Sequence, residues 1–344
     1  MPFHSTPLIS WTDKGLFCEA GGFYIDPHRA VDLAIITHAH SDHARRGSKK
    51  YICVNTGIGL LKSRLGSKIL VEGQEYGKSF ELGRVKVSFH SAGHILGSAQ
   101  VRVEYNNEVW VASGDYKRDA DPSCAPFETV PCDTFITEAT FGTPKFVWEK
   151  NLPHGKMIHE WWKENAARGV NSLLFGYSLG KAQRILAELA PYAHRPVLIH
   201  KTIHDLTECY REEGVRLAPT KDLEESLKFL IFNEKLRGEL ILAPPSIVSE
   251  KWIEKLGYYK TAFASGWMKG SGGFRMARYD HGFVMSDHAD WNDLNQTIAE
   301  SGARRVFVQH RDGVLVRHLR KNGIEAHPVE SLQSTGQGEN LRLI

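Results

Sequence analysis

The sequence predicts a mixed α/β protein in which one α/β domain is inserted into another. Short alternating strands fill the first 140 residues, helices and strands alternate after residue 143, and the first style returns from residue 286. A chain of 344 residues exceeds what one hydrophobic core normally holds, which favours two domains or one large insertion. We therefore expect the domain boundaries to divide the chain into 1–142, 143–285 and 286–344.

The first region shows strands that end in polar side chains. Val85, Val87 and Phe89 alternate with less apolar residues, and Asn106-Asn107 is typical of a hairpin turn between two strands. Polar residues that follow predicted strands are Asp26, His94, Asp115 and Glu138. Polar residues at several strand ends build a site at one edge of a sheet.

The middle region has the spacing of a parallel sheet covered by helices. Helical spacing runs from Gly155 to Arg168 and from Lys181 to Leu189, and apolar strands are predicted at 172–175, 197–199 and 240–242. This alternation is typical of a parallel sheet. Beyond it we expect a strand at 282–285, a helix ending at Gly302 and a strand at 306–308.

The strongest chemical signal is the string His38-x-His40-x-Asp42-His43, which directly follows a short apolar run at 33–36. Alternate positions of an extended segment point the same way, so His38 and His40 are expected to act as a pair. Asp42 and His43 follow in the turn, where they can face a second ion. Imidazole and carboxylate suit zinc, iron or manganese, and two neighbouring ions are a recurring device for phosphoester hydrolysis.

Composition narrows the class of protein. Hydrophobic content of 42% and charged content of 24% are those of a globular protein. We find neither an apolar run of bilayer length nor a secretory leader, so we expect no membrane association. The five cysteines are scattered without a Cys-x-x-Cys pair, which argues against disulfides and zinc ribbons. A reducing cytoplasm fits this pattern best.

Local charge favours phosphate binding more than the net charge of +3 does. Arg45 begins a basic run beside the histidine cluster, and Lys269 lies in a stretch, 261–279, without acidic residues. Either run is equally well explained as a solvated face. Ser178 and Lys181 lie where a strand leads into a helix, which can receive a phosphate or can simply be capped. This segment lacks the residue spacing of a P-loop. Ser286 is a further candidate for contact with nucleic acid.

These motifs together resemble the metallo-β-lactamase fold, in its β-CASP nuclease branch. That resemblance implies an αββα sandwich with an inserted β-CASP domain. The matching motifs, in order, are Asp26, the string at 38–43, Gly93-His94, Gly114-Asp115, Glu138-Ala139-Thr140-Phe141-Gly142, Ser286-Asp287-His288 and His310. Two further strings, at 265–268 and 286–291, are most similar to bacterial ligase-associated DNA exonucleases, relatives of Artemis and the crosslink-repair nucleases.

The resemblance implies two divalent ions, most often zinc, with manganese as an alternative. One ion would be held by His38, His40 and His94, the second by Asp42, His43 and His310, and Asp115 would bridge them. The two ions would activate a water for attack on the phosphodiester, with Asp42 counted among the catalytic residues. Asp26 would orient ligands without binding metal.

His288 fits the general acid that protonates the departing oxygen, with Glu138 holding its ring. The alternative is that His288 is a further metal ligand.

The resemblance implies a DNA exonuclease in repair, with a DNA ligase and a helicase as partners. DNA-cutting members in eukaryotes usually lack the last histidine, whereas RNA-cutting members keep it. His310 therefore leaves an RNA-processing nuclease as the alternative. A small-molecule hydrolase on the same fold is disfavoured by the insertion of roughly 140 residues, because such enzymes need no second lobe. A non-catalytic scaffold would have lost ligands, and the predicted set is complete.

Overall fold

The computed structural model describes residues 7–228, 235–247, 251–269, 278–309 and 313–333. The strands are β1 (Ser10–Thr12), β2 (Gly15–Cys18), β3 (Phe23–Ile25), β4 (Leu33–Ile35), β5 (Lys50–Val54), β6 (Val71–Gln74), β7 (Ser79–Leu82), β8 (Val85–Ser91), β9 (Ala99–Tyr105), β10 (Glu108–Ala112), β11 (Thr134–Thr137), β12 (Asn171–Phe175), β13 (Val197–Ile199), β14 (Thr220–Asp222), β15 (Leu240–Ala243), β16 (Tyr259–Ala264), β17 (His281–Phe283), β18 (Arg305–Val308) and β19 (Glu325–Pro328). The helices are α1 (Ile58–Leu65), α2 (His154–Ala167), α3 (Lys181–Leu189), α4 (Lys201–Glu212), α5 (Leu223–Lys228), α6 (Trp291–Ser301) and α7 (Val314–Lys321).

The strands form three sheets. The first has the order β1-β2-β3-β4-β5-β6 and the second the order β19-β18-β11-β10-β9-β8-β7. The third has the order β14-β13-β15-β12-β16-β17, and each of its neighbouring strand pairs is parallel. The first two sheets mix parallel and antiparallel pairs.

The first two sheets stack face to face around a shared core. Phe23 and Ile52 of the first sheet contact the same buried cluster as Val101 and Trp110 of the second. Helix α1 covers the outer face of the first sheet, and helices α6 and α7 cover the outer face of the second. Because each sheet buries both faces, the layers are helix, sheet, sheet, helix, which is the predicted sandwich.

The third sheet is buried on both faces, as parallel sheets generally are. Leu173 and Leu174 are neighbours on β12 but point to opposite clusters, one shared with α5 and one with α2, α3 and α4. All six strands of this sheet lie between residues 171 and 283, inside the predicted insertion.

Strand ends and turns place the site. Asp26 follows β3, and Asn106 and Asn107 form the predicted turn between β9 and β10, each with positive φ. Asn tolerates that conformation better than most residues, which explains the sequence signal.

Within the parts of the chain that the structure describes, we find no helix long and apolar enough to cross a membrane.

Candidate metal centre

Four side chains predicted from three motifs meet beside the ends of the two stacked sheets. The metal-binding atoms of His38, His40, His94 and Asp115 all lie within 4.8 Å of one another. His40 Nδ1 is 3.0 Å from His38 Nε2 and 3.1 Å from His94 Nε2. Around an ion with Zn–N distances of about 2.0–2.1 Å, tetrahedral donor atoms are about 3.3 Å apart. The spacing of the three nitrogens therefore fits one small cation.

In each ring, the hydrogen bond made by the outer nitrogen fixes which of the two nitrogens carries the proton. His94 Nδ1 lies 2.7 Å from the Asp287 carbonyl oxygen, and His40 Nε2 lies 3.1 Å from the Leu179 carbonyl oxygen. A carbonyl oxygen only accepts, so both of these nitrogens carry hydrogen. In the neutral rings the nitrogens that face inward therefore carry no proton and each presents a lone pair.

Thr37 orients His38 in the same way. The Thr37 hydroxyl donates to Asp26 Oδ2 at 2.5 Å, so its oxygen accepts from His38 Nδ1 at 3.1 Å. Three lone pairs thus converge within about hydrogen-bond distance without a proton between them. Such an arrangement is stable when a cation lies between them, and this donor set fits a metal ion.

Burial supports the neutral state of these histidines. It lowers the pKa of His38 and His94 well below the ordinary histidine value, and it also lowers the pKa of His40. Neutral imidazole is the form that binds metal. The three rings are therefore in the ligand form at neutral pH.

Asp115 is the common neighbour of four imidazoles. Its Oδ2 lies 3.5 Å from a nitrogen of His43, 3.6 Å from His38, 3.8 Å from His94 and 3.9 Å from His288. Burial would raise the pKa of this carboxyl, but the neighbouring imidazoles, with His43 first, hold it well below its usual range. The carboxylate is therefore ionised and can be shared between two cations.

His43 faces Asp115 from the opposite side and is held by Asp26. Its Nδ1 donates to Asp26 Oδ2 at 2.7 Å, and Asp26 Oδ1 also accepts from the Thr37 backbone at 2.8 Å. Burial alone would lower the pKa of His43, but the carboxylates of Asp115 and Asp26 outweigh it and raise the pKa well above its ordinary value. Binding of a cation at His43 Nε2 must therefore displace a proton.

Asp42 is the exposed member of the cluster. Its Oδ2 lies 3.8 Å from His43 Nε2, and 71% of its side chain is accessible to solvent. His310, the remaining predicted ligand, lies outside the described residues.

His288, whose side chain is 22% exposed, pairs with the fully buried Glu138 next to the other histidines. His288 Nδ1 lies 3.0 and 3.2 Å from the two oxygens of Glu138, whose Oε1 also accepts from the Tyr116 backbone at 2.7 Å. Burial alone would lower the pKa of His288, but Glu138 and then Asp115 outweigh it and raise the pKa to about 9. Asp115, Glu138 and His288 also satisfy the distances of a metal site. The nitrogen that faces the two carboxylates, however, is engaged by Glu138.

A cleft of about 500 Å³ opens at this centre. Its walls come from both the sandwich and the third-sheet layer, and they include Arg64, Thr140, Tyr177, Ser178, Trp267 and Ser286. Arg64 and Tyr177 are not predicted as site residues, because neither belongs to a motif. Thr37 is also not predicted, although its place directly before His38 is a signal that could have found it.

The other predicted nucleic-acid contacts differ in accessibility. Arg45 is exposed, whereas Lys269 is half-buried and its Nζ donates to the Val147 carbonyl. Lys181 lines the cleft but is nearly buried. Its side chain is only 2% exposed, and its Nζ lies 2.6 Å from Asp287 Oδ1 and 2.5 Å from the Met285 carbonyl oxygen. These acceptors engage two of the three ammonium hydrogens, and a contact between Lys181 and a phosphate stays a prediction.

Comparison with known proteins gives relatives named as a ligase and as a nuclease. No protein-family model matches the chain. A protein named "Probable DNA ligase" from Opitutus terrae is 29% identical over 315 residues, covering 91% of this chain and 30% of that relative. An "RNase J-like protein" from Methanocaldococcus jannaschii is 23% identical over 263 residues, covering 70% of this chain and 62% of the relative. The chain thus spans less than two thirds of each.

A solved structure shows the same fold. The crystal structure of a protein of unknown function from Enterococcus faecalis superposes with a TM-score of 0.55 at 13% identity, covering 86% of this chain and 78% of that one. The fold, the metal-binding cluster and these relatives together indicate the metallo-β-lactamase fold family, in its branch of β-CASP nucleases.

Proposed function

We propose that this protein hydrolyses phosphodiester bonds of DNA, as an exonuclease that processes DNA ends during repair. The observation that carries the proposal is the convergence of three imidazole lone pairs beside a shared carboxylate. His288, with a pKa raised to about 9, lines the same cleft. A cation site beside a protonated imidazole supplies what a phosphodiesterase needs at each side of the scissile bond.

The proposed ligands follow the two sides of Asp115. His38, His40 and His94 would hold one ion, and Asp42, His43 and His310 the other, with Asp115 shared. Nitrogen-rich coordination favours zinc, with manganese second. When bound, two such ions lower the pKa of a water and neutralise charge on the phosphate oxygens.

The chain's own groups supply the remaining chemistry. His288 Nδ1 is held by Glu138, so its Nε2 is the atom that carries a proton toward the leaving oxygen. Glu138 keeps the ring protonated and oriented. Asp26 holds the His43 ring, and through Thr37 it also fixes the proton on His38.

The proposed strand path runs through the cleft. Ser178 and Ser286 line it and offer hydroxyl groups, and Arg45 lies exposed near the histidine loop. Lys269 would contribute only to the outer rim. We place the inserted domain at 143–285, with 1–142 and 286–344 forming the sandwich, so that the substrate lies between the two parts.

DNA is the favoured substrate because the relative that matches over 91% of the chain carries a DNA ligase name. That name also supports a DNA ligase as a partner, with a helicase as a further expectation. RNA is the second candidate, since the archaeal relative is named for a ribonuclease and His310 occupies the last motif. The five free cysteines suit a reducing cytoplasm.

The decisive experiment compares end-labelled single- and double-stranded DNA and RNA of one sequence, each with Zn²⁺, Mn²⁺ or Mg²⁺. An exonuclease that prefers DNA releases mononucleotides from one end and leaves RNA intact at the same enzyme concentration. Faster cleavage of RNA, or internal cuts that precede shortening, would replace the proposal with RNA processing or endonuclease activity. The His94→Ala variant is the control for contaminating nucleases.

A further inference from the structure

A network of six charged side chains lies buried beside the metal centre. Each of these side chains is at most 14% exposed, and three are cationic and three are acidic. The members are Lys117, Asp121, Lys181, Arg184, Glu188 and Asp287. Buried charges are costly to desolvate unless they are paired, so this balanced set has to be kept intact. The reaction proposed above uses none of the six.

Two cations of helix α3 hold the segment at 285–287. Lys181 Nζ lies 2.6 Å from Asp287 Oδ1 and donates to the Met285 carbonyl at 2.5 Å. Arg184 Nη1 donates to the Ser286 carbonyl at 2.5 Å and lies 3.4 Å from Asp287 Oδ1. Three consecutive residues are thereby fixed to one turn of helix.

The segment held in this way and the residue that leads into helix α3 orient two metal-site histidines. The Asp287 carbonyl accepts from His94 Nδ1 at 2.7 Å, and the Leu179 carbonyl, two residues before helix α3, accepts from His40 Nε2 at 3.1 Å. His38 and His43 are instead oriented by Thr37 and Asp26 of the sandwich. Within the His38/His40/His94 half, two rings therefore take their outer hydrogen bonds from residues 179 and 287, and only His38 takes its own from the sandwich.

We propose that Lys181 and Arg184 are positioning residues for the metal centre. By fixing residues 285–287 against helix α3, they hold the acceptor of His94 next to the acceptor of His40. The layer of the third sheet thus completes the His38/His40/His94 half of the centre in addition to walling the cleft. This inference rests on the metal site of the proposed function but not on the identity of the substrate.

The expected size of the effect follows from the indirect role. Removing a hydrogen-bond partner that orients a ligand typically lowers metal affinity by about 10- to 100-fold. Lys181→Met and Arg184→Met should raise the dissociation constant of one zinc ion by this factor. The dissociation constant of the second ion should change by less than about twofold. Asp26→Asn should weaken both ions, because Asp26 holds His43 directly and His38 through Thr37.

The experiment titrates Zn²⁺ into the metal-free full-length protein in competition with a chelating indicator, which resolves two dissociation constants. Lys181→Met is also made in a His94→Ala background. If Lys181 acts through His94, the second substitution adds no further loss of zinc affinity, because the interaction is already gone. Arg211→Met is the matched control. Arg211 donates to Thr220 Oγ1 at 2.8 Å within the same layer, and its loss should leave both zinc affinities unchanged.

Thermal unfolding of the metal-free variants separates positioning from simple stabilisation. Variants that unfold at lower temperature but bind both ions like the wild type would overturn the inference. If Lys181→Met does not fold, Lys181→Met/Asp287→Asn removes one charge of each sign and is titrated in its place, with the same selective loss expected. A wild-type protein that binds neither zinc nor manganese would overturn the proposed function itself, and this inference with it.

Discussion

The contact between His288 and Glu138 predicts a specific change in the pH dependence of catalysis. Glu138 is fully buried and its two oxygens lie 3.0 and 3.2 Å from His288 Nδ1. Glu138→Gln keeps the size of the side chain and an oxygen that can accept the same hydrogen bond. It removes the negative charge, which is the largest contribution that raises the pKa of His288.

The magnitude follows from the protonated fraction. At pH 7 an imidazole with a pKa of about 9 is about 99% protonated, and one with a pKa of about 6.5 is about 24% protonated. Losing Glu138 moves the pKa toward the lower value while Asp115 remains. The smaller protonated fraction alone therefore lowers the rate by up to about fourfold at pH 7 and by up to about thirtyfold at pH 8.

The assay measures kcat/KM against pH on end-labelled DNA, with metal content matched between variants by elemental analysis. A general acid acts in its protonated form, so activity falls as pH rises through its pKa. Bound cations lower that pKa in both proteins, so the prediction concerns the difference between them. Glu138→Gln should move the alkaline limb to lower pH. His288→Ala should lose about 10²- to 10⁴-fold and no longer show that limb.

A substrate with a good leaving group supplies the refuting result. A nitrophenyl phosphodiester departs without protonation, so His288→Ala should cleave it at nearly the wild-type rate. If this variant is equally impaired on both substrates, or loses a metal ion, His288 is a ligand. An unchanged alkaline limb in Glu138→Gln would contradict the assignment of the acid.

Three further predictions concern stability and metal binding. Gly180→Ala should destabilise the protein by about 1–3 kcal/mol, because the residue has φ +86° and a Cβ would lie 2.4 Å from Ile95 Cγ2. In contrast, Gly66→Ala, with φ +111° and no atom within 4 Å of its Cβ, should cost only the backbone strain; denaturant unfolding compares the two. Asp26→Asn should keep the fold but reduce zinc bound beside His43, measured as zinc per chain after dialysis. Chelation should lower the unfolding temperature, and zinc at about 1,000 times its dissociation constant should restore about 4 kcal/mol, which calorimetry tests.

Local patterns allowed much of the fold to be predicted. The apolar stripe of Ala182, Ile185, Leu186 and Leu189 predicted helix α3, and all four residues are buried there. Helix α4 is not predicted, because two of its buried positions are Thr207 and Tyr210, which weaken the apolar pattern. A helix is predicted where apolar residues recur often enough at helical spacing, as they do along α3.

The site divides in the same way. His38, His40 and His43 are close in sequence, so one short motif predicts all three as ligands. The remaining predicted ligands follow the ends of strands. The burial of Lys181 could not be predicted, because its partner Asp287 is 106 residues away and buried lysines are rare. A helix start that contains Ser and Lys is typical of both phosphate sites and buried ion pairs. Only the position of the distant carboxylate distinguishes the two.

The outer hydrogen bonds of the histidines link the metal-binding cluster to the segments that border the third sheet. His40 and His94 donate to carbonyl oxygens at residues 179 and 287, which border the third-sheet layer, over distances of 3.1 and 2.7 Å. Any rotation that widened the cleft at this point would lengthen those bonds and free both rings. Because ligand orientation controls metal affinity, opening of the cleft and loss of an ion are then coupled events. The substrate must enter a cleft whose width at the metals is already set.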